Sequence, residues 1–420
     1  MLGRAELLDD LRTHAFALGR TPGPLRIGAE VELIPVSSDT GAQVPIVSED
    51  GLSTLPLLRS FGARHGWTEQ ASPYGVPQFG LPDGGIISYE PGGQIELSAA
   101  AFPSATALVR ALRGTVLPLM EAARDEGIQL LSVGVEPRGG IEDVPMQLPG
   151  RRYVRQTQFM ETIGTGGTRM MRQTAAMQVS LDLGAEPLAA WRVLNAMAPY
   201  VTAIFANSPV YRGEPTGHRS YRARIWRQLD GGRTGCFSCD DPVGEYLEFA
   251  LAAPAILLGD DERFRPFAEW NAHGCATLDD WRAHLTTLFP EIRPKGFFAE
   301  VRSADAVAPE WYAAPLVLLA GIVHHPPTLR AAADLLGAPD PALLHAAGRD
   351  ALSDPGIASV ARDLAELALA GAAALPGFFA AEDLDEAGAF FARYTRLSRS
   401  PADDVLDARA HPHSEPVLIP

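Results

Sequence analysis

The chain has very little lysine and cysteine, and it has no long apolar run. Lys295 is the only lysine among 420 residues, and the formal net charge is −16. Because a nucleic acid backbone needs clustered cationic side chains, this charge excludes nucleic acid as an expected partner. No apolar stretch is long enough for a membrane-spanning helix, and Met1–Gly19 carries charges without the apolar core of a signal peptide. We therefore expect a cytoplasmic protein with no membrane partner.

Three cysteines are too few, and odd in number, for the disulfide framework of a secreted protein. Cys236 and Cys239 have CxxC spacing, with His273 and Cys275 downstream. These four side chains offer a conceivable zinc-ligand set, but the spacing of the second pair is unusual for zinc. Reduced thiols are the favoured interpretation, with a redox-sensitive pair as an alternative.

Glutamates recur on one face of the predicted strands. Between Leu25 and Leu33, apolar residues alternate with polar ones, so a strand there points Glu30 and Glu32 to the same face. Further along, Glu90 and Glu96 flank a Pro-Gly-Gly turn between two strand-like segments. The spacing predicts four carboxylates on sheet surfaces.

Two later segments repeat the pattern. Ala176–Leu183 sets Gln178 against apolar neighbours, and Phe297–Arg302 does the same for Glu300 and Arg302. The plain alternative is the solvated face of an antiparallel sheet. However, like charges on neighbouring strands repel, and a hard divalent cation with oxygen ligands offsets that repulsion. The pattern therefore favours a metal and phosphate site.

Apolar residues at helical spacing predict helices between the strands. The predicted helices are Ala5–Leu18, Ser53–His65, Ser104–Glu126, Glu186–Asn207 and Val243–Leu258. The Ala- and Leu-rich segment 326–392 predicts a bundle of about three to four more helices. The fold class is thus α+β. We predict one catalytic domain over residues 1–400 and an irregular tail over 401–420.

Arginines are crowded between Tyr211 and Gly235. Surface salt bridges are one interpretation. The other is a polyphosphate clamp, because guanidinium groups match phosphate oxygens. The glycine-rich run 164–168 lacks the lysine of a P-loop, so metals and arginines would hold a bound nucleotide. The six arginines are Arg212, Arg219, Arg222, Arg224, Arg227 and Arg233.

An ordered set of motifs resembles the glutamate–cysteine ligases of the plant and proteobacterial type, a family that also includes the actinobacterial ligase of ergothioneine biosynthesis. The segment Glu90–Ser98 is highly specific, and beyond Asp305 the likeness weakens to helical character. The motifs are Gly28–Glu32, Glu90–Ser98, Met170–Met171 with Thr174 and Gln178–Asp182, Phe205–Pro209, Ser220–Trp226, Arg233–Gly235 and Glu300–Asp305.

The resemblance implies a glutamine-synthetase-like fold, in which a curved antiparallel sheet packed with helices forms an active-site funnel. It implies ATP-dependent joining of L-glutamate to L-cysteine through a γ-glutamyl phosphate. The product, γ-glutamylcysteine, would be the first intermediate of glutathione or ergothioneine synthesis. Mg²⁺ is the implied cofactor and ATP the co-substrate.

The resemblance also implies roles for individual residues. Arg302, with Glu300, would stabilise the transferring phosphoryl group. Arg222 and Arg233 would contact nucleotide phosphates. The implied metal ligands are Glu30, Glu32, Glu90, Glu96, Gln178 and Glu300, and the implied glutamate pocket is Arg152, Tyr153 and Met171.

Two positions depart from the family pattern. Gln173 stands where an arginine is frequent, and Ser180 stands where asparagine is typical. These departures motivate one alternative, a carboxylate–amine ligase of the same fold with a different amine acceptor. A non-catalytic member of the fold is a second alternative, which the intact set of carboxylates argues against.

Overall fold

The computed structural model describes residues 1–17, 23–237, 240–259 and 263–410. The strands in this part are β1 (Ile27–Ser37), β2 (Thr68–Gln70), β3 (Gln78–Gly80), β4 (Ile86–Tyr89), β5 (Ile95–Ser98), β6 (Ile128–Leu131), β7 (Met177–Asp182), β8 (Val210–Tyr211), β9 (Glu214–Pro215), β10 (Thr234–Gly235), β11 (Phe289–Pro290), β12 (Ile292–Lys295) and β13 (Phe298–Val301).

Helices occupy most of the remaining described chain. They are α1 (Arg4–Asp10), α2 (Thr54–His65), α3 (Ala105–Asp125), α4 (Arg151–Ile163), α5 (Thr165–Gln173), α6 (Pro187–Ile204), α7 (Tyr221–Trp226), α8 (Pro242–Ala252), α9 (Phe267–Ala272), α10 (Leu278–Leu285), α11 (Ala313–Val323), α12 (Pro326–Leu336), α13 (Leu343–Arg349), α14 (Pro355–Ala373), α15 (Ala381–Arg393) and α16 (Pro401–Ala410).

The long strand β1 organises a nine-stranded sheet with the order β12-β13-β7-β1-β5-β4-β3-β2, and β6 pairs with the second half of β1. Neighbouring strands in this sheet are antiparallel. All four strand segments expected from the alternating pattern lie in it, because each has an apolar face to bury.

One face of the sheet is apolar and buried. Ala29, Val31 and Leu33 of β1 lie in the main hydrophobic core with Val179 and Leu181 of β7. Burying a valine or leucine side chain contributes roughly 1.5 to 3 kcal/mol. Because side chains alternate along a strand, this burial forces the intervening polar residues onto the opposite face.

The helical segment 326–392 is confirmed and contains α12 to α15. Behind the sheet, α11 is buried along its whole length. Two glycines allow α11 and α14 to approach closely: a Cβ atom at Gly321 would lie 2.2 Å from the Ala368 carbonyl oxygen, and one at Gly371 would lie 1.9 Å from the Gly321 carbonyl oxygen. The main core runs from Leu7 to Tyr394.

Two predicted helix ends are wrong. The first predicted helix becomes α1 followed by a π-helical turn over Leu11–Ala15. Helix α8 ends at Ala252 instead of Leu258, because Pro254 follows and disfavours helical backbone at the residue before it. Ala253 accordingly has extended backbone angles, with φ −67° and ψ 136°.

The prediction of an irregular tail is wrong over α16, and residues 411–420 lie outside the described residues. This helix has little apolar periodicity, so the sequence pattern gave no signal for it. Tertiary ion pairs stabilise it instead. Asp403 accepts a hydrogen bond from Arg219, and Asp404 accepts from Arg393 and Arg399.

None of the helices in the described ranges is long and apolar enough to cross a membrane.

Candidate active site

A cavity of about 300 Å³ opens on the polar face of the sheet. Its wall combines four carboxylates and four arginines with three amide and five aromatic side chains. The charged and amide residues are Glu30, Glu32, Glu90, Glu96, Arg152, Arg222, Arg293, Arg302, Gln94, Gln156 and Gln178. The aromatic residues are Tyr74, Tyr89, Tyr153, Trp226 and Phe289, and Met170 and Met171 complete the apolar part.

Strand register brings the predicted ligands together. Glu32 on β1 faces Glu96 on β5, and Glu30 on β1 faces Gln178 on β7. Gln178 Nε2 donates a hydrogen bond to Glu32 Oε1 at 3.0 Å, which links the two rows. Residues 60 to 150 positions apart in sequence thus become neighbours because their strands pair.

Glu90 reaches the same point from the turn between β4 and β5. This turn is packed tightly, since a Cβ atom at Gly92 would lie 2.0 Å from the Arg172 carbonyl oxygen. Gln94 fixes it further: its Oε1 accepts from Gly92 N, and its Nε2 donates to the Thr174 carbonyl at 2.8 Å. The turn therefore holds Glu90 rigidly against the sheet.

Burial, together with repulsion from neighbouring carboxylates, raises the pKa of Glu30, Glu32 and Glu90. Burial is the main cause for Glu30, with Glu96 and Glu300 adding repulsion, and together they raise its pKa to about 8. Burial and Glu96 raise the pKa of Glu32 to about 7. For Glu90, burial followed by the charge of Glu96 raises the pKa well above 4.5.

This donor set fits a hard divalent cation. Carboxylate oxygens of Glu32, Glu90 and Glu96 all lie within 4.8 Å of one another. Gln178 Oε1 is buried beside them, and no hydrogen-bond donor among the described residues reaches it. Mg²⁺ prefers carboxylate and amide oxygens of this kind. The electrostatic repulsion among the three carboxylates falls when a cation is bound between them.

Glu300 lies further along the same face, in a different electrostatic setting. Its carboxylate contacts Arg302, lies 3.2 Å from Arg293 Nη1, and lies 3.1 Å from Lys295 Nζ. Burial alone would raise the pKa of Glu300, but these three cations outweigh it and lower the pKa. Glu300 is thus held as a carboxylate.

A second cavity, of about 400 Å³, adjoins the first at Glu30, which lines both. Glu300, Lys295 and Ser180 contribute polar groups to it, and the half-exposed ring of Phe297 lies at its wall. The row of carboxylates therefore separates two spaces large enough for small molecules.

Arg222 and Arg302 lie side by side on the wall of the first cavity. Arg222 Nη2 donates to the Arg302 carbonyl oxygen at 2.9 Å. Both guanidinium groups lie over the ring of Trp226, at 5.2 Å and 5.5 Å from its centroid. Stacking of this kind orients a guanidinium group while leaving its edge free for an anion.

The predicted glutamate pocket is also at the first cavity. Arg152, Tyr153 and Met171 all line it. The Tyr153 ring packs against Tyr74 with centroids 4.9 Å apart, and Arg152 donates to Thr286 Oγ1 at 2.6 Å. Ten of the predicted site residues, all but Glu300 and Arg233, therefore meet at this cavity.

Arg233 is buried elsewhere. Its guanidinium donates to the Thr287 carbonyl at 2.7 Å and to the Pro254 carbonyl, and it lies over the Phe159 ring at 4.7 Å. These contacts stabilise the packing of neighbouring segments, so we no longer assign Arg233 to a nucleotide phosphate.

The crowded arginines do not form one clamp. Of the six, Arg222 lines the first cavity. Four of the others pair with separate carboxylates: Arg212 with Glu142, Arg219 with Asp403, Arg227 with Glu291 and Arg233 with Asp230. Closeness in sequence did not place them on one surface, because the segment contains several turns and the short helix α7.

Sequence reasoning missed several residues of the two cavities, notably Tyr74, Gln156, Phe289, Arg293 and Lys295. Arg293 and Lys295 alternate with Ile292 and Pro294, but a four-residue pattern is too short to be distinctive. The other three had no signal, because Tyr74 lies in a loop, Gln156 on helix α4 and Phe289 in the two-residue strand β11, and only the tertiary structure brings these segments together.

The two departures from the family pattern have different surroundings. Gln173 is fully buried, donates to the Gly139 carbonyl at 3.2 Å and accepts from Tyr211 Oη. It is not among the residues found at either cavity. Ser180, in contrast, lines the second cavity. Of the two departures, Ser180 thus lies at a cavity and Gln173 lies in the packing beside Tyr211.

The CxxC pair is only partly described. Cys236 is half-buried and Cys275 is exposed, and both are free thiols. Burial raises the pKa of the Cys236 thiol to about 12, so the thiol stays protonated. Cys239 lies outside the described residues.

The antiparallel sheet carries carboxylates and arginines on its open face and has helices behind it, which is the architecture of the glutamine-synthetase-like fold that the sequence resemblance implies. A family model for glutamate–cysteine ligase family 2 (GCS2) matches residues 26–415. Since this match covers most of the 420 residues, the chain belongs to that family.

Individual relatives agree with this membership. The chain is 35% identical to the glutamate–cysteine ligase EgtA of Mycolicibacterium smegmatis, over 89% of this chain and 95% of that protein. It is 31% identical to the chloroplastic glutamate–cysteine ligase of Nicotiana tabacum over 71% of its own length, and it spans 59% of that longer enzyme.

Solved structures with this fold include a glutamate–cysteine ligase from Francisella tularensis in complex with AMP, with a TM-score of 0.54 and 14% identity over 93% of this chain and 86% of that one. A bifunctional glutathione synthetase from Pasteurella multocida has a TM-score of 0.51 and 14% identity, over 93% of this chain and 49% of that one. The predicted α+β, glutamine-synthetase-like fold class is confirmed.

Proposed function

We propose that this protein is an ATP-dependent glutamate–cysteine ligase that forms γ-L-glutamyl-L-cysteine, a first step in the synthesis of low-molecular-weight thiols. The observation that carries the proposal is the cluster of Glu32, Glu90 and Glu96 beside Arg222 and Arg302 in one cavity. Family membership and 35% identity to a named glutamate–cysteine ligase support the choice of substrates.

The two cavities suit the two kinds of substrate. We assign glutamate and the amine to the first cavity, where arginines can hold carboxylates and an apolar wall can pack against a thiol. We assign the nucleoside part of ATP to the second cavity, where Lys295 offers a cation and Phe297 an exposed ring. The phosphates of ATP would then extend from the second cavity into the first, past Glu30, which lines both cavities.

The chemical difficulty is charge. A glutamate carboxylate must approach a triphosphate, and both are anionic. Mg²⁺ held by carboxylate and amide oxygens of the protein would neutralise part of the phosphate charge. The residues proposed to hold it are Glu32, Glu90 and Glu96 in one group, and Glu30, Gln178 and Glu300 along the neighbouring row.

The protein's own cations would stabilise the transferring phosphoryl group. Arg302 is oriented by its contact with Glu300 and by Trp226, so its guanidinium is fixed before substrate arrives. Arg222 lines the same cavity, and we therefore propose that it contacts the transferred phosphate rather than the nucleoside. Arg152, Tyr153 and Met171 are proposed to hold glutamate.

The proposal is tested by measuring phosphate release from ATP and Mg²⁺ with L-glutamate and each amino acid in turn, with products identified by mass. Release that is strongest with L-cysteine and yields γ-glutamylcysteine is the expected result. Release with another amine would retain the reaction but replace the acceptor, and no release with any amine would contradict the proposal.

Matched variants connect the activity to the cavity. Glu96→Gln keeps the size of the side chain but removes one charge, and we expect turnover to fall by at least about 100-fold. Glu69→Gln is the control. Glu69 is exposed on the edge strand β2, and it pairs with Arg59 of helix α2. The turnover of this control should stay within about twofold of that of the unchanged protein.

A further inference from the structure

A second acidic centre lies behind the active cavity, at Asp305. This carboxylate is 1% exposed and is not among the residues found to line either cavity. It nevertheless has a full set of partners: it accepts hydrogen bonds from Asn207 N at 2.8 Å, Ser208 Oγ at 2.7 Å and Ser220 Oγ at 2.9 Å. The fourth partner is Arg222, whose Nη1 lies 3.9 Å from Asp305 Oδ1.

Two of these partners control the start of helix α7. Ser220 caps the helix by accepting from Ala223 N at 3.0 Å, and Ser208 Oγ accepts from Arg222 N at 3.1 Å. Each hydroxyl donates its own hydrogen to Asp305. A six-residue helix has little stability of its own, so its position depends on such anchors.

Helix α7 carries two groups of the cavity wall, Arg222 and Trp226. Arg222 is buried, and burial disfavours its charge; the nearest compensating carboxylate is Asp305. Removing the partner of a buried ion pair leaves an uncompensated charge. The guanidinium group would then reorient towards water or another anion. The orientation of Arg222 therefore depends on Asp305.

We infer that Asp305 is a positioning residue: it does not contact substrate, but it fixes helix α7 and aims Arg222 at the anionic group bound in the first cavity. This inference rests on the proposed function, because it requires Arg222 to act on a substrate. A displacement of about 1 Å at a positioned group can lower the rate by about 100-fold, so the effect is measurable.

A double-mutant cycle on kcat/KM tests the inference. Asp305→Asn keeps the shape but removes the charge, and we expect a loss of about 10- to 100-fold. Arg222→Met should lose at least as much. If Asp305 acts through Arg222, the double variant will be within about threefold of Arg222→Met alone. If the two losses multiply, Asp305 acts independently and the inference is overturned.

A matched control separates positioning from general loss of an ion pair. Asp403→Asn removes the partner of Arg219, which is 2.7 Å away and lies outside both cavities. It should leave kcat/KM within about twofold of that of the unchanged protein. A loss equal to that of Asp305→Asn would overturn the inference.

Two further measurements keep the test decisive. If Asp305→Asn does not fold, Ser208→Ala takes its place in the cycle, because it removes one link between Asp305 and Arg222. The same cycle is also measured by urea unfolding. A protein with no ligase activity would contradict the proposed function, on which the positioning role rests. Coupling of Asp305 to Arg222 in the unfolding midpoints would in that case still support the anchoring of Arg222 by Asp305, whereas additive midpoints would overturn it.

Discussion

Glu32 and Glu96 occupy directly opposed positions on β1 and β5, so two carboxylates share one cross-strand pair. Like charges in this arrangement destabilise a sheet unless a proton or a cation lies between them. The turn that follows β4 adds Glu90 to the same group.

The metal-free protein should become less stable as the pH rises from about 5 to above 8. The folded pKa values of Glu30 and Glu32, about 8 and 7, are above the ordinary 4.5. The folded state therefore binds protons more tightly than the unfolded state, and the resulting stability is present below pH 4.5 and is lost as the pH rises through 7 and 8. Melting temperatures in EDTA should fall across this range. With saturating Mg²⁺ the fall should be smaller, and an equal fall would contradict the metal assignment.

Neutralising one carboxylate should stabilise the metal-free protein while it reduces turnover. Glu96→Gln removes the charge that faces Glu32 and keeps a hydrogen-bond acceptor for Ser88 and Ser98. We expect a higher melting temperature in EDTA, because the repulsion between Glu96 and Glu32 is removed. Turnover should fall by at least about 100-fold, as expected where activity requires groups that destabilise the fold. Thermal unfolding with and without Mg²⁺ measures this. A lower melting temperature in EDTA would show that Glu96 is structurally required.

Adding a methyl group at Gly92 should disrupt the Glu90 turn. The new Cβ atom would lie 2.0 Å from the Arg172 carbonyl oxygen, which is backbone and cannot move cheaply. Gly92→Ala should lower the melting temperature by several degrees and reduce turnover by at least about 10-fold. Gly114→Ala on α3 is the matched control, because no atom beyond the adjacent residues and the neighbouring backbone of the same helix lies within 4 Å of its added methyl group. Unchanged activity in Gly92→Ala would show that the turn can shift without moving Glu90.

The only lysine offers a selective label for the second cavity. Lys295 Nζ lies 3.1 Å from Glu300, and its side chain is 41% exposed. An amine-directed reagent should therefore modify Lys295 and the N-terminal amine. If the nucleotide occupies the second cavity, MgATP will slow labelling of Lys295 by at least about fivefold without protecting the N-terminus, as mass spectrometry of peptides will show. Equal labelling with and without MgATP would remove Lys295 from the nucleotide site.

Much of the site could be predicted from the sequence, because alternation along a strand fixes which side chains share a face. Glu30 with Glu32 and Glu300 with Arg302 were found in this way, and Glu90 and Glu96 were found from the Pro-Gly-Gly turn that they flank. Arg233 was misplaced, since a cluster of arginines in sequence does not tell which of them will be buried. Phe289 was missed, because it lies in a two-residue strand that carries no pattern of its own.

The sequence by itself determined the α+β class, the polar faces of four strands and the family, because periodicity and ordered motifs are local properties of the chain. Only the tertiary structure decided that Glu32 faces Glu96, that Glu300 is held by three cations and that Asp305 anchors Arg222. These relationships depend on strand register and helix packing between distant segments. The free energy that sets them comes from burial of the apolar face. A local sequence pattern predicts which side chains share that face, but not which segment of the chain will pack against it.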